Sequence, residues 1–500
     1  MAIATNPTKK TKTATDHHEC YTQFFEVDQA RVKSLRDTKT NLLSRTYTVE
    51  VISLLPANTC RPSTNGYDNK AASVLKVVHK YGPCNQVHQV KSNSNPSDQD
   101  EYHIQILKQD EARVNSIHSH FNDSNRNYRI PDPLAQSEAT VIPAQSASVL
   151  GSGNYIVSVG LGSPQKQLSL VFDTGSSLTW TQCRPCSVSC YKQKDPIFDP
   201  SLSTSYSNIS CNSAACSQLA ASGVPSDCSA STCVYGQQYG DRSFTIGFFA
   251  SEKLTLTSTD VFTGFVFGCG QNNQGLFRGI AGLLGLGRSK ISFVEQTAQK
   301  YNRFFSYCLP STSSSTGYLS LGNSDNRSSG NAVKFTPLTT LSQGASYYSL
   351  GLVGINIGGS QLPISASVFS TSGTIIDSGT VITRLPATAY TALRDAFREA
   401  MKRYPTAKSI SSLLDTCYDF SGFKTITFPT IGFVFGNGVT VDVDATGIVV
   451  PQSASQFCLA FAGNKDDRNV GIIGNVQQKR LQVVYDVAGG KVGFAPAGCQ

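Results

Sequence analysis

From Phe121 to the last residue the chain contains no histidine. All seven, His17, His18, His79, His88, His103, His118 and His120, fall in its first quarter. That absence removes Ser-His-Asp triads, Cys-His dyads and His-ligated metal sites from the main body. Whatever chemistry the body performs rests on carboxylates. No apolar run reaches the length of a membrane span, and the end carries no hydrophobic tail, so neither a span nor a C-terminal anchor is expected. Charged residues are scarce at 15%, and the formal net charge of +8 is spread rather than clustered. Nucleic acid is therefore not an expected partner. Residues 1–46 lack the apolar core of a secretory leader. The single tryptophan, Trp180, reads either as core packing or as part of a cleft floor.

What the sequence does contain suits a soluble, β-rich protein of two or three domains: 500 residues, 9% aromatics and 41 glycines. Two short stretches echo each other, Val171-Phe172-Asp173-Thr174-Gly175-Ser176 and Ile375-Ile376-Asp377-Ser378-Gly379-Thr380. They lie 204 positions apart, and Asp-Ser/Thr-Gly occurs nowhere else. Each apolar pair reads as the end of a buried strand. The Asp then sits on the turn, Gly lets backbone amides approach the carboxylate, and the hydroxyl residues fix the loop. One such motif alone is usually a surface turn. Two facing copies would bring two carboxylates close enough to share a proton, so that one acts as base on a water and the other as acid toward a carbonyl.

A second echo supports the first. Ala281-Gly-Leu-Leu-Gly-Leu-Gly287 is matched by Val470-Gly-Ile-Ile-Gly-Asn475, giving both halves the same two elements. Twelve of the 15 cysteines follow residue 180. Their even number and tight spacing indicate disulfides made in an oxidising compartment. A zinc site at Cys183-x2-Cys186 lacks clear third and fourth ligands. Asn208-Ile-Ser and Asn326-Arg-Ser are glycosylation sequons, as is Asn122-Asp-Ser.

The paired Asp motifs resemble the pepsin-like aspartic proteases. The crowded cysteine insert after Asp173 is similar to their plant nepenthesin-like branch, and the resemblance spans about residues 70–500. It implies an all-β, bilobal fold with a cleft between two related lobes and an N-terminal prosegment. The expected divisions are an extension over 1–46, a prosegment over 47–146, a first lobe over 147–335 and a second over 336–500. Asp173 and Asp377 would be catalytic, with Thr174, Gly175, Ser176, Ser378, Gly379 and Thr380 shaping their loops. Tyr239, Gly240 and Asp241, before Arg242, look like the flap that closes over substrate. The implied disulfides are Cys183–Cys186, Cys190–Cys269, Cys211–Cys233, Cys216–Cys228, Cys308–Cys499 and Cys417–Cys458. No cofactor or metal is required. The implied partners are polypeptide substrates with bulky apolar residues at the scissile bond, and the protein's own prosegment as inhibitor of a monomer. A secretory destination is expected, vacuolar or extracellular, with a plastid route also represented among relatives.

Within the expected prosegment, Val74-Leu-Lys-Val-Val-His79 reads as a strand, and Val114, Ile117 and Phe121 recur at helical spacing. Leu75-Lys-Val-Val-His-Lys-Tyr-Gly-Pro-Cys84 and Asp110-Glu-Ala-Arg-Val114 resemble plant prosegments. The second of these has an internal echo at Asp28-Gln-Ala-Arg-Val32, which reads as a partial duplication or a misjoined start. Up to residue 146 there are 17 Lys+Arg and 15 Asp+Glu, so this segment and the body carry net charge of the same sign. Attraction between them must be local; either histidine protonation below about pH 6.5 or carboxylate protonation near about pH 4 alone would release it. Two other functions fit the same fold, a non-catalytic inhibitor of cell-wall glycosidases and a storage or structural glycoprotein. The intact Asp motifs favour the protease.

Overall fold

The computed structural model describes residues 45–63, 73–80, 82–85, 96–122, 155–239, 243–275, 277, 279–322, 333–342 and 344–499. A run of six antiparallel strands within a larger, continuous sheet system joins the two halves. Its order is Ser73–His79, Thr316–Leu321, Phe304–Cys308, Gln482–Asp486, Lys491–Ala495 and Lys334–Thr339. The seam runs between Phe304–Cys308 and Gln482–Asp486, with three strands on each side. Phe305 and Tyr485 stack across it at 4.4 Å. The strand Ser73–His79 thus belongs to the shared sheet, although it lies within the expected prosegment. A further pairing, Thr46–Glu50 against Thr425–Pro429, ties the start of the same region to the second lobe.

Each lobe repeats one arrangement, and the class is all-β with two related lobes as expected. In the first, Lys166–Asp173 ends at the first Asp, with Gly282–Gly285 parallel to it. Trp180–Gln182 then runs antiparallel to Gly282–Gly285. In the second, Thr374–Ile376 ends at the second Asp and Gly471–Ile473 lies parallel to it. Arg384, on Thr383–Leu385, pairs antiparallel with Ile472. The strand ends 170–172, 283–284, 375–376 and 472–473 are buried on both faces, which is why they read as short apolar runs rather than alternations. The threading strand passes so close to each loop that only glycine fits. A Cβ at Gly285 would lie 2.4 Å from the Ser177 carbonyl carbon, and one at Gly474 would lie 2.6 Å from the Val381 oxygen.

The helical stripe Tyr390, Leu393, Phe397 and Met401 forms the buried face of the helix Ala387–Met401. A longer helix, Pro96–Asn122, begins with proline, which suits a first turn. It lies in the cleft. Ile106 and Leu107 pack on Val381, Ile382 and Val450, while Val114 and Ile117 pack on Ile375, Val470 and Ile472. Burial of each such side chain contributes about 1.5–3 kcal/mol to docking, before the cost of ordering.

Seven disulfides form among the described residues. Cys308–Cys499 and Cys417–Cys458 match the implied pairing, but the insert does not. Cys183 bonds Cys269, Cys186 bonds Cys190, Cys211 bonds Cys228 and Cys216 bonds Cys233. The reason is burial and register. Cys183 and Cys269 are both fully buried, and the Cys183 amide donates to the Gly270 carbonyl at 2.7 Å. Cys186 and Cys190 share the loop outside. Cys228 and Cys233 oppose each other on a hairpin, yet buried Cys233 meets Cys216 in the core and exposed Cys228 meets Cys211 near the surface. Cys60–Cys84 was not foreseen, and it lies within the expected prosegment.

Candidate active site

The two Asp loops interlock. The Thr174 amide donates to Ser378 Oγ at 3.1 Å, and the Ser378 amide donates to Thr174 Oγ1 at 2.9 Å. Each loop therefore holds the other in register through a buried hydroxyl. Each carboxylate is framed the same way. The Gly175 amide and Ser176 hydroxyl donate to Asp173 at 3.0 and 2.6 Å; the Gly379 amide and Thr380 hydroxyl donate to Asp377 at 2.9 and 2.6 Å. All six residues named for these loops from the sequence surround the two carboxylates, which are themselves buried. Behind each loop the threading strand fixes the backbone. The Leu286 amide donates to the Asp173 carbonyl at 2.8 Å, and the Asp377 amide to the Ile473 carbonyl at 3.1 Å.

A residue from outside both lobes completes the site. Arg113, on the cleft helix, donates from Nη2 to Asp173 at 2.8 Å. Its Nε and Nη2 donate to Asp377 at 3.0 and 3.1 Å. Burial pushes the Asp173 carboxyl up, but Arg113, Ser176 and Gly175 hold it below the usual range. At Asp377 burial again raises the pKa; Arg113 offsets part of that, nearby Asp173 adds to it, and the group ends above its ordinary value. Burial works against the charge on Arg113, yet the two carboxylates raise its pKa and keep it protonated. One guanidinium thus bridges two buried carboxyl groups whose pKa values are pushed apart.

Around the pair, Trp180 Nε1 donates to the Tyr239 hydroxyl at 2.7 Å, and both rings meet Phe277 edge-on. Trp180 is thus a buried support for the hairpin of Thr232–Gln238 and Phe244–Thr257, which carries Tyr239 at its end. Gly240, Asp241 and Arg242 lie outside the described residues, as does Asn326. Asn208 is exposed at the edge of the first lobe. A cavity of about 180 Å³ remains between helix and dyad, bounded by Asp173, Tyr239, Phe277, Tyr347 and Val381 among others.

An aspartyl protease family protein of Arabidopsis thaliana is 54% identical over 91% of this chain and 93% of its own length. The aspartic proteinase nepenthesin-2 of Nepenthes gracilis is 38% identical over 70% of this chain and 78% of its own. The chain belongs to the plant pepsin-like aspartic protease family. Family models described as xylanase inhibitor N-terminal and C-terminal match residues 155–323 and 347–496 of this family member. The solved basic 7S globulin from soybean shares its fold, with a TM-score of 0.55 at 22% identity, over 70% of this chain and 95% of that one.

Sequence reasoning did not single out Arg113 as a site residue, nor Asp110 or Arg384, which pair beside it at 2.9 Å. The signal was present. Ile106, Asp110, Arg113, Ile117 and Phe121 share one helical stripe, so two charged residues occupy positions whose period assigns them to a buried face.

Proposed function

We propose that this family member is an aspartic endopeptidase held latent by its own cleft helix. The observation that carries the reading is one guanidinium bridging two complete, mutually braced Asp loops. With the helix withdrawn, two buried carboxylates share one proton, since neighbouring like charges do not both ionise easily. The ionised member takes a proton from a water as that water attacks the peptide carbonyl, and the protonated member donates to the carbonyl oxygen. An extended polypeptide fits the groove that the helix fills, under Tyr239. Val171, Phe277, Leu283 and Tyr347 offer apolar walls beside the reacting bond.

The helix closes the site through contacts that acid weakens. Protonating Asp173 removes its attraction to Arg113. Protonating His118, whose Nε2 lies 3.0 Å from the Val470 carbonyl oxygen, places a charge in a half-buried position. Delivery through the secretory pathway, with glycosylation at Asn208, accords with the dense disulfide framework. The rival function is non-catalytic inhibition of cell-wall glycosidases, in line with the description of the matching family models. Acidification of the full chain followed by assay on denatured globin near pH 3–4 separates the two. Proteolysis abolished by pepstatin supports the endopeptidase; folded protein without proteolysis, which binds a xylanase, supports the inhibitor.

A further inference from the structure

Two backbone amides and one guanidinium on the second lobe converge on one carboxylate that the body does not own. Asp110 of the cleft helix accepts from the Val381 amide at 2.6 Å and the Ile382 amide at 3.2 Å. It also pairs with Arg384 Nη2 at 2.9 Å, with both side chains almost wholly buried. Arg384 is anchored by the backbone two residues before it, since Nη1 donates to the Ile382 carbonyl at 2.8 Å. Strand Thr383–Leu385 follows the second Asp loop directly and holds this guanidinium in place. The pocket is therefore built by the enzyme body, and only its anion comes from the helix.

We infer that this pocket, once the helix leaves, is a substrate subsite for a carboxylate side chain, and that Arg384 determines that specificity. The inference rests on the endopeptidase reading above. Withdrawal of Asp110 leaves two amides without their acceptor and an arginine without its counter-charge, a state that favours any replacement anion. Asp110 precedes Arg113 by three residues, about 4.5 Å along the helix axis. Arg113 marks the dyad. An extended peptide covers that distance in one or two residues at about 3.3 Å each. The acidic side chain therefore belongs within about two residues of the scissile bond. Asp110 and Arg113 thus fill two neighbouring subsites at once, the first by resembling substrate and the second by neutralising the dyad.

The test uses the full chain after acid processing and peptides identical except at one position. Each position within three residues of the cleaved bond carries Asp in one peptide and Asn in its partner. Rates are compared at about pH 5, where a free Asp is mostly ionised. One position should show at least a tenfold Asp-over-Asn preference in kcat/KM, in line with the loss of a charge-assisted hydrogen bond. In Arg384→Gln the ratio at that position should fall below about threefold, and Arg384→Lys should restore part of it. Because each ratio is internal to one protein, a general loss of activity in a variant does not disturb it. Should Arg384→Gln fail to fold, the wild-type ratios alone decide. Cleavage with ratios near one at every position overturns the inference and leaves the endopeptidase reading standing. Cleavage of neither peptide overturns both.

Discussion

Replacing Arg113 with glutamine should give the unprocessed chain measurable activity. The guanidinium makes three short contacts to Asp173 and Asp377 from a position only 21% exposed. Removing one partner of such a buried ionic cluster costs about 3–5 kcal/mol. The lower end applies here, because the freed carboxylates relieve their repulsion by sharing a proton. At about 1.4 kcal/mol per tenfold, the undocked fraction should rise roughly a hundredfold. Ile106, Leu107, Val114 and Ile117 still hold the helix, so the variant should remain below the fully processed enzyme. The assay is the initial rate on a quenched fluorescent peptide at about pH 5, with the chain shown intact by electrophoresis. Arg113→Lys should be intermediate, since a single ammonium cannot present the same planar fork to both carboxylates. An Arg113→Gln chain as silent as the wild type before processing, yet active after it, would refute the latch.

Acid release has its own signature. Burial lowers the pKa of His118, the Val470 carbonyl and Asp466 act against this, and Arg384 and Lys465 act with it. The undocked ring titrates near 6.5, so docking is strongest above about pH 6.5 and weakens as pH falls below it. Asp173, held low while docked, adds a further loss as pH drops through its own depressed range. His118→Gln should therefore move the midpoint of processing to lower pH, and an unchanged midpoint would leave the carboxylates solely responsible. Gly474→Ala drives a Cβ into the Val381 carbonyl and should destabilise the second lobe by about 1–3 kcal/mol, seen as a lower Tm; an unshifted Tm would contradict the close threading. Peptide mapping without reduction should recover Cys183 linked to Cys269 and Cys186 linked to Cys190, whereas a Cys183–Cys186 loop would restore the pairing implied by resemblance.

The two Asp loops were legible because they are local. A buried strand end, Asp, a hydroxyl residue and Gly are all within six positions, and the threading strands announce themselves by the same apolar-apolar-Gly pattern. The helix Ala387–Met401 was legible from periodicity for the same reason. What joins distant stretches was not. Cys228 and Cys233 are neighbours in sequence and register, yet their bonding follows depth, which no spacing encodes. The role of Arg113 depends on a helix crossing to loops 60 and 264 residues away. Its stripe on the buried face and the two carboxylates were each visible, but their meeting across those distances was not. The stretch 74–79 is legible as a strand, while the place of Ser73–His79 in the sheet shared by both lobes depends on Thr316–Leu321, far along the chain.

The central claim is that Asp173 and Asp377 together cleave peptide bonds. Its most direct test is the rate of Asp173→Asn and of Asp377→Asn, each matured in trans by immobilised wild-type enzyme that is then removed. Both should fold with near wild-type Tm and lose about 10²–10⁴-fold in kcat on the same peptide. Retention of more than about a tenth of the wild-type rate by either variant, far above the loss expected for an acid–base group, would contradict the account.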